Sequence, residues 1–510
     1  MLVLEADHVL RDAASPVIAG GAVAVRDGLI AAWGTAAEIR AAHPGAETVS
    51  LGHACLMPGL VNAHQHGRGL SQIQLGFPDD SLEPWIARRR GRGVPDVYAL
   101  TRLAAQQMIE NGVTATLHAN YSYGSGDYEA ELRASIRAYD DAGLRATICV
   151  GYADRGGLIY PPAEEAAFLA SLPADVRALI GAGKPGYLPL AGTVDLMARL
   201  RAEYAGHPRL SFAYGPAGPQ WVSDEAWRAL AADAREHGLG LHFHLLESPA
   251  QATCARSLYP EGTLARLERL GVFEARASAA HFVQATARDI ADAARLGLGI
   301  VINPGSNMRL GNGAPPVAAL MEAGIRFGLG TDNCALDDNE DYLSELRLGR
   351  LLGRNAMAPA DDQLRTSIAV ATEWGAEAAF LTETGCIRGG FKADLVAIDL
   401  TATEGTYLDP QMPMLEAMLA RATGRDVVMT MVGGRILHRR GVSIAAAAES
   451  IRAAARQTAA ETRLDAGTRQ LAGELAEALR RHYAAITPPL SPAGDERLKA
   501  AGRGGGAASA

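Results

Sequence analysis

Through the middle of the chain, amphipathic stretches that close on a glycine alternate with short apolar runs. DVYALTRLAAQQMIENG precedes VTATLH, and YEAELRASIRAYDDAG precedes LRATICV. VDLMARLRAEYAG leads to RLSFAY, DEAWRALAADAREHG to LGLHFH, and TLARLERLG to ASAAH. ARDIADAARLG then precedes LGIVIN, and VAALMEAG precedes IRFGLG. With an opening run at CLMPGLV, eight strands are predicted. Helix, glycine, strand, repeated in this way, predicts parallel strands joined by crossover helices. Eight such units between residues 56 and 385 fit a (β/α)8 TIM barrel with insertions. A doubly wound open sheet is the alternative. It usually needs fewer strands, and no G-x-G-x-x-G follows the first one here.

The two ends of the chain read differently. In AVAVRDGLIAAW, Asp27-Gly28 separates two apolar runs, a hairpin signal. Near the other end, ADLVAIDL is followed by DVVMTMV, Gly433-Gly434 and RILH, a second hairpin. The simplest packing joins residues 1–55 and 386–442 into one small β-sandwich split across the sequence. Residues 443–510 form an Ala/Arg-rich helical extension, with a tail from Gly502 expected to be disordered.

Composition narrows the function. The 510 residues are 48% hydrophobic and 21% charged, with a net charge of −9 and no strong basic face. This excludes a generic nucleic-acid or membrane binder. The lysines are Lys184, Lys392 and Lys499, which leaves few lysine-based mechanisms. Five cysteines without a C-x-x-C pair exclude a disulfide scaffold or cysteine zinc site. The N-terminal stretch lacks a signal-peptide pattern and no long apolar run appears, so a cytoplasmic protein is expected.

In a barrel, chemistry gathers where strands end. The first predicted strand runs into His64-Gln65-His66, and the second ends at His118. The fifth ends at His242-Phe243-His244, with Glu247 three residues on; the sixth ends at His281. The seventh ends at Asn303, followed by Ser306 and Asn307, and the eighth at Asp332. Residues i and i+2 of a strand share a side, so His64 and His66 can reach one ion together. His244 and Asp332 can complete a shell suited to Zn²⁺ or Fe²⁺. Such an ion lowers the pKa of water. Glu247 is placed to shuttle the proton, and His281 to bond the developing anion. Singly, each residue has a plainer reading. An H-x-H pair is often merely packed, Asp332 can cap a helix, His118 can be structural, and one of His242 and His244 need not be a ligand. Together on one rim, they point to a metal site.

These segments resemble the amidohydrolase superfamily, in the branch that holds guanine deaminase, S-adenosylhomocysteine deaminase and the chlorotriazine hydrolases. The matching stretches are PGLVNAHQH, DDSLEPW, ENGVTATLH, HFHLLES, AHF, NPGSNMRLGNGAPPV, GLGTDN and FKADLVAID. The resemblance implies His64, His66, His244 and Asp332 as metal ligands. It implies Glu247 as proton shuttle, His281 as a contact to water or substrate, and a double role for Asp332 in activating the water. It also implies one ion per chain, zinc first and iron second, because Lys184 is not at a strand end. Relatives carry an acidic segment after the tryptophan; here Arg88, Arg89, Arg90 and Arg92 follow Trp85. Gly69 stands where guanine deaminases have a glutamine, with Gln72 and Gln74 nearby. The arginines can meet an anionic substrate group, or form a solvated helix face or subunit contact.

The expectation is a hydrolytic deaminase of an aminated N-heterocycle. Asn303, Ser306, Asn307, Arg309, His118 and Trp85 are expected to line the substrate pocket, and a homodimer is expected. The same machinery would serve cleavage of an amide, a ring amide, a urea or a C–Cl bond. A non-catalytic metal-retaining binding protein is the reading of another class; it has no need of Glu247.

Overall fold

The chain opens with β1 (Leu2–Val9), β2 (Ile18–Arg26), β3 (Leu29–Thr35), β4 (Glu47–Ser50) and β5 (Ala54–Pro58). Asp27 and Gly28 take φ of 52° and 80° between Arg26 and Leu29, which face each other in the β2–β3 pair. This is the left-handed turn that an Asp-Gly hairpin adopts. In the C-terminal part, β14 (Leu395–Asp399), β15 (Val427–Val432) and β16 (Arg435–Arg439) join the same sheet, in the order β16-β15-β14-β5-β1-β2-β3, with β4 against β1. Both chain ends therefore share one sheet. Its inward side chains, among them Leu4, Val23, Leu56, Leu395 and Met429, form a core of their own.

The structure is a computed structural model. It describes residues 1–487 apart from 156, 185, 333–337, 355–358 and 442–444, and the backbone alone of 445–447. The expected disordered tail from Gly502 lies outside the described residues. Among them, no helix is long and apolar enough to cross a membrane.

The eight parallel strands follow in chain order: β6 (Leu60–Gln65), β7 (Val113–Ala119), β8 (Arg145–Tyr152), β9 (Leu210–Pro216), β10 (Gly240–Leu245), β11 (Arg276–His281), β12 (Gly299–Ile302) and β13 (Phe327–Leu329). A parallel bridge between Gln65 and Asp332 brings the last strand back to the first. The result is a (β/α)8 barrel. The crossover helices are bounded as their sequences predict. In Asp224–His237, the Ser223 hydroxyl accepts from Ala226 N–H, and Gly238 ends the helix at φ 67°. Small side chains such as Ala63, Ala115 and Ala213 fill the lower interior beside Ala376 and Phe380. The packed floor leaves polar groups to the opposite rim.

One expected strand is in fact two. CLMPGLV splits at Gly59: Ala54–Pro58 pairs with β1 and β14, and Leu60 starts the barrel. A Cβ at Gly59 would meet Thr114 Oγ1 at 2.0 Å, so only glycine lets the chain pass from one sheet to the other there. The two sheets are also tied by Arg145 on β8. It donates to Asp394 at 2.6 and 3.0 Å, and both side chains are buried.

The helical extension comprises Ala445–Glu461 and Ala466–Ile486. Leu475, Ala476, Leu479 and Tyr483 lie on one face of the second helix, at spacings that bring them round together. They pack with Ala87, Leu158, Tyr160 and Phe168, against the helix Leu82–Arg88 and the loop after β8. Arg480 adds an ion pair to Asp80 at 2.6 Å.

Candidate metal centre and active site

The β6–β7 register slips between Asn62 and Gln65, where three steps on one strand face two on the other. A bulge of this kind re-aims the side chains after it. Val61 and Ala63 pack into the barrel interior, and His64 and His66 follow them to that side. His64 Nε2 and His66 Nε2 lie 3.3 and 3.1 Å from Asp332 Oδ1. His244 Nε2 lies 3.3 Å from His66 Nε2. Ligands at about 2.1 Å from one tetrahedral ion sit about 3.4 Å apart, so these separations fit a shared cation. His64 Nε2 is buried without a hydrogen-bond partner, as a ligand atom would be. Donor atoms of His64, His66 and Asp332, and of His64, His244 and His281, lie within 4.8 Å of one another in each trio. The donor set suits a divalent transition ion.

The outer nitrogens fix the rings. His66 Nδ1 bonds the Ala119 carbonyl at 2.6 Å, and His244 Nδ1 bonds that of Ala217 at 2.9 Å. Both therefore carry the proton on Nδ1 and turn a lone pair inward. His64 Nδ1 meets His242 Nε2 at 2.8 Å, and His242 Nδ1 meets Ser278 Oγ at 2.7 Å. Thus His242 backs His64, and His244 faces the centre. Burial lowers the pKa of His64 and His66 and brings His244 to about 4, which keeps these imidazoles neutral as ligands must be. Burial alone would raise the Asp332 pKa, but its contacts with His64 and His66 hold it well below the usual range.

Glu247 is buried; its Oε2 lies 3.7 Å from His281 Nε2. Burial, and then the Asp332 carboxylate, push the Glu247 carboxyl well above its ordinary range. Gln251 and Asn312 amides donate to its two oxygens at 3.4 and 3.2 Å. His281 Nδ1 accepts from Asn307 at 2.9 Å and Asn303 at 3.4 Å, so its proton sits on Nε2 and points inward. His281 and Asp332 have φ of 78° and 64°, a strained region for such residues and one that recurs at functional sites.

Several expected pocket residues stand elsewhere. Asn303 and Asn307 lie behind His281, and Ser306 donates to Asp332 Oδ2. They orient site groups and are not cavity walls. His118 is also behind the wall, its nitrogens met by Tyr139 at 3.1 Å and Asn120 at 3.1 Å, with burial lowering its pKa to about 3. Arg309 pairs with Asp79 at 2.8 Å and Asp338 at 3.3 Å, outside the cavity. Their positions after strand ends were the same in sequence; the direction each side chain takes was not. Trp85 does line the cavity of about 340 Å³ over the site, together with Arg68, Arg89, Tyr121, Tyr187 and Trp221.

Three of the four arginines take distinct places. Arg88 pairs with Asp80 at 3.0 Å, and Arg92 donates to Leu75 and Thr462, each at 3.0 Å. Arg89 faces the cavity. Sequence reading left open which of His242 and His244 faces the centre, and it passed over Arg68, Tyr121, Gln251, Asn312 and Glu83. The buried Glu83 accepts from Ser248, next to Glu247 in the chain, at 2.5 Å and also from Tyr160. Its place inside LEPW was the available signal.

The Amidohydrolase family model matches residues 55–437, and the imidazolonepropionase-like composite domain of bacteria matches residues 21–46. A 5-methylthioadenosine/S-adenosylhomocysteine deaminase of Nitratidesulfovibrio vulgaris is 30% identical over 448 residues, 86% of this chain and 92% of that protein. A zinc-bound adenosine deaminase structure from Xanthomonas campestris superposes with a TM-score of 0.73 at 25% identity, covering 90% of this chain and 98% of that one. A zinc complex of atrazine chlorohydrolase from Arthrobacter aurescens shares the fold at a TM-score of 0.74 and 22% identity, covering 90% of this chain and 100% of the other.

Proposed function

The chain belongs to the amidohydrolase family, and on that footing we propose that it is a hydrolytic deaminase of an aminated N-heterocycle, with one zinc ion held by His64, His66, His244 and Asp332. Such an ion supplies a water that is reactive at neutral pH. The chain's own groups supply the rest. Glu247, whose buried carboxyl holds a proton readily, takes one from the attacking water and passes it to a ring nitrogen. The ring carbon then carries both oxygen and amino group. The proton of the new hydroxyl then passes through Glu247 to the amino nitrogen, and loss of ammonia restores the flat ring with a carbonyl. His281 offers its Nε2–H to the oxygen as charge develops. Trp85, Tyr187 and Trp221 add aromatic lining to the cavity that would receive a flat ring.

The observation that carries this reading is the pairing of Glu247 with His281 beside a four-donor cluster. A binding protein needs the cluster and not the pair. The relatives named deaminases support the choice of leaving group.

The test is ammonia release across purines, pyrimidines, pterins and aminotriazines, with chloride release read in parallel on chlorotriazines. Glu247→Gln is expected to keep its metal and lose turnover by about 10²–10⁴-fold, the size of a general acid–base contribution. Equal activity in that variant contradicts the role of Glu247. Chloride release without ammonia release replaces the deaminase reading with dehalogenation.

A further inference from the structure

Two guanidinium groups share one aromatic ring beside the site. The Arg68 carbon lies 4.2 Å and the Arg89 carbon 4.5 Å from the Tyr121 centroid; both also approach Trp85, at 5.1 and 6.0 Å. Among the described residues neither has a carboxylate partner, and Arg68 Nε is buried with no hydrogen bond. Burial, and then repulsion from Arg68, bring the Arg89 guanidinium down to about 10. Two unneutralised like charges in a half-buried place are unfavourable for the free protein. Ring stacking offsets part of that.

Arg68, Arg89 and Tyr121 line two cavities at once. One is the space over His66, Glu247 and Asp332. The other, of about 480 Å³, adds Arg90, Arg92 and Lys184, and has no Asp or Glu among the described residues that line it. Of these, Arg92 and Lys184 are held by carbonyls of Leu75 and Ser125 at 3.0 and 2.9 Å. Arg68 and Arg89 are thus the cations at the junction with donors to spare.

We propose that the substrate carries an anionic oxyacid group, a carboxylate or a phosphate, which Arg68 and Arg89 bind while the attached ring faces Glu247 and His281. The planar fork of arginine matches both anions. This inference rests on the deaminase reading of the site, and it narrows the substrate class.

The test uses zinc-loaded enzyme and matched substrates: adenosine against its 5′-carboxylate and 5′-monophosphate, and pterin against pterin-6-carboxylate. The anionic members are expected to have kcat/KM higher by about 10-fold or more, the scale of one charge-assisted contact. Arg68→Met and Arg89→Met should each bring that ratio towards one, and Arg89→Lys should restore part of it. The preferred anion identifies the source. Zinc content reports that each variant is folded. A ratio of one in the wild type, or a ratio unchanged in both Met variants, overturns the proposal. If no pair is turned over and no heterocycle of the wider screen releases ammonia, the deaminase reading fails instead. The anion site then stands or falls on calorimetric binding of benzoate and inorganic phosphate. Affinity about tenfold weaker in the Met variants supports it, and equal affinity overturns it.

Discussion

His242 and His244 sit two residues apart on one strand, yet one backs His64 and the other faces the centre. Period two alone puts both on one side, so their division of labour was not legible. The H-x-H at 64 and 66 was legible as a pair, but its aim depends on the bulge after Asn62. Asn303, Ser306 and Asn307 were legible as polar groups at a strand end, while their service to His281 and Asp332 is a matter of direction, which spacing does not encode. The backing contact of His242 can be measured. His242→Ala removes the group that holds His64 Nδ1 at 2.8 Å. Metal affinity, read by chelator competition, is expected to fall by about 10- to 100-fold, as for other groups that orient metal ligands. Unchanged affinity would make His242 a packing residue.

Among elements, the crossover helices announced themselves through caps and closing glycines, because those are local chemistry. The split of CLMPGLV did not, since one apolar run can serve two sheets and only Gly59 marks the change. Nor did the docking of the last helix, which depends on a surface hundreds of residues away. Leu479 is fully buried in that contact. Leu479→Ala is expected to cost about 2–5 kcal/mol by the loss of packing and the cavity left. Thermal unfolding measures this, and a change within about 0.5 kcal/mol, the usual range for a surface site, would contradict the docking. At the small sheet, His53 bonds Asp7 and Glu404, each at 2.9 Å. The Asp7 carboxylate first, with Glu404 adding to it, holds the imidazole above its ordinary 6.5 in spite of the lowering by burial. A raised folded value means the contribution is complete below 6.5 and is lost as pH rises through the folded value. Stability of the wild type should therefore decline over that window relative to His53→Ala. Parallel pH profiles would remove the linkage.

For the whole molecule, the barrel, the floor and the two chain ends act together. The floor is packed with small side chains, so the polar groups of six strand ends have one place to converge. The sheet from both ends is fastened to the barrel by Arg145 and Asp394, and the last helix braces the segment that carries Trp85. The order of these parts along the sequence was legible, because helix and strand periodicities recur in barrel order. The cavity above the candidate metal centre, with Arg68 and Arg89 sharing Tyr121, was not, because it is assembled from side chains that are distant in the chain. The central claim is that His64, His66, His244 and Asp332 enclose one cation. Anomalous scattering at the zinc edge from crystals of the zinc-loaded protein tests it most directly. One peak about 2.0–2.2 Å from all four donor atoms is the expected result. A peak elsewhere, two peaks, or none between those residues would contradict it.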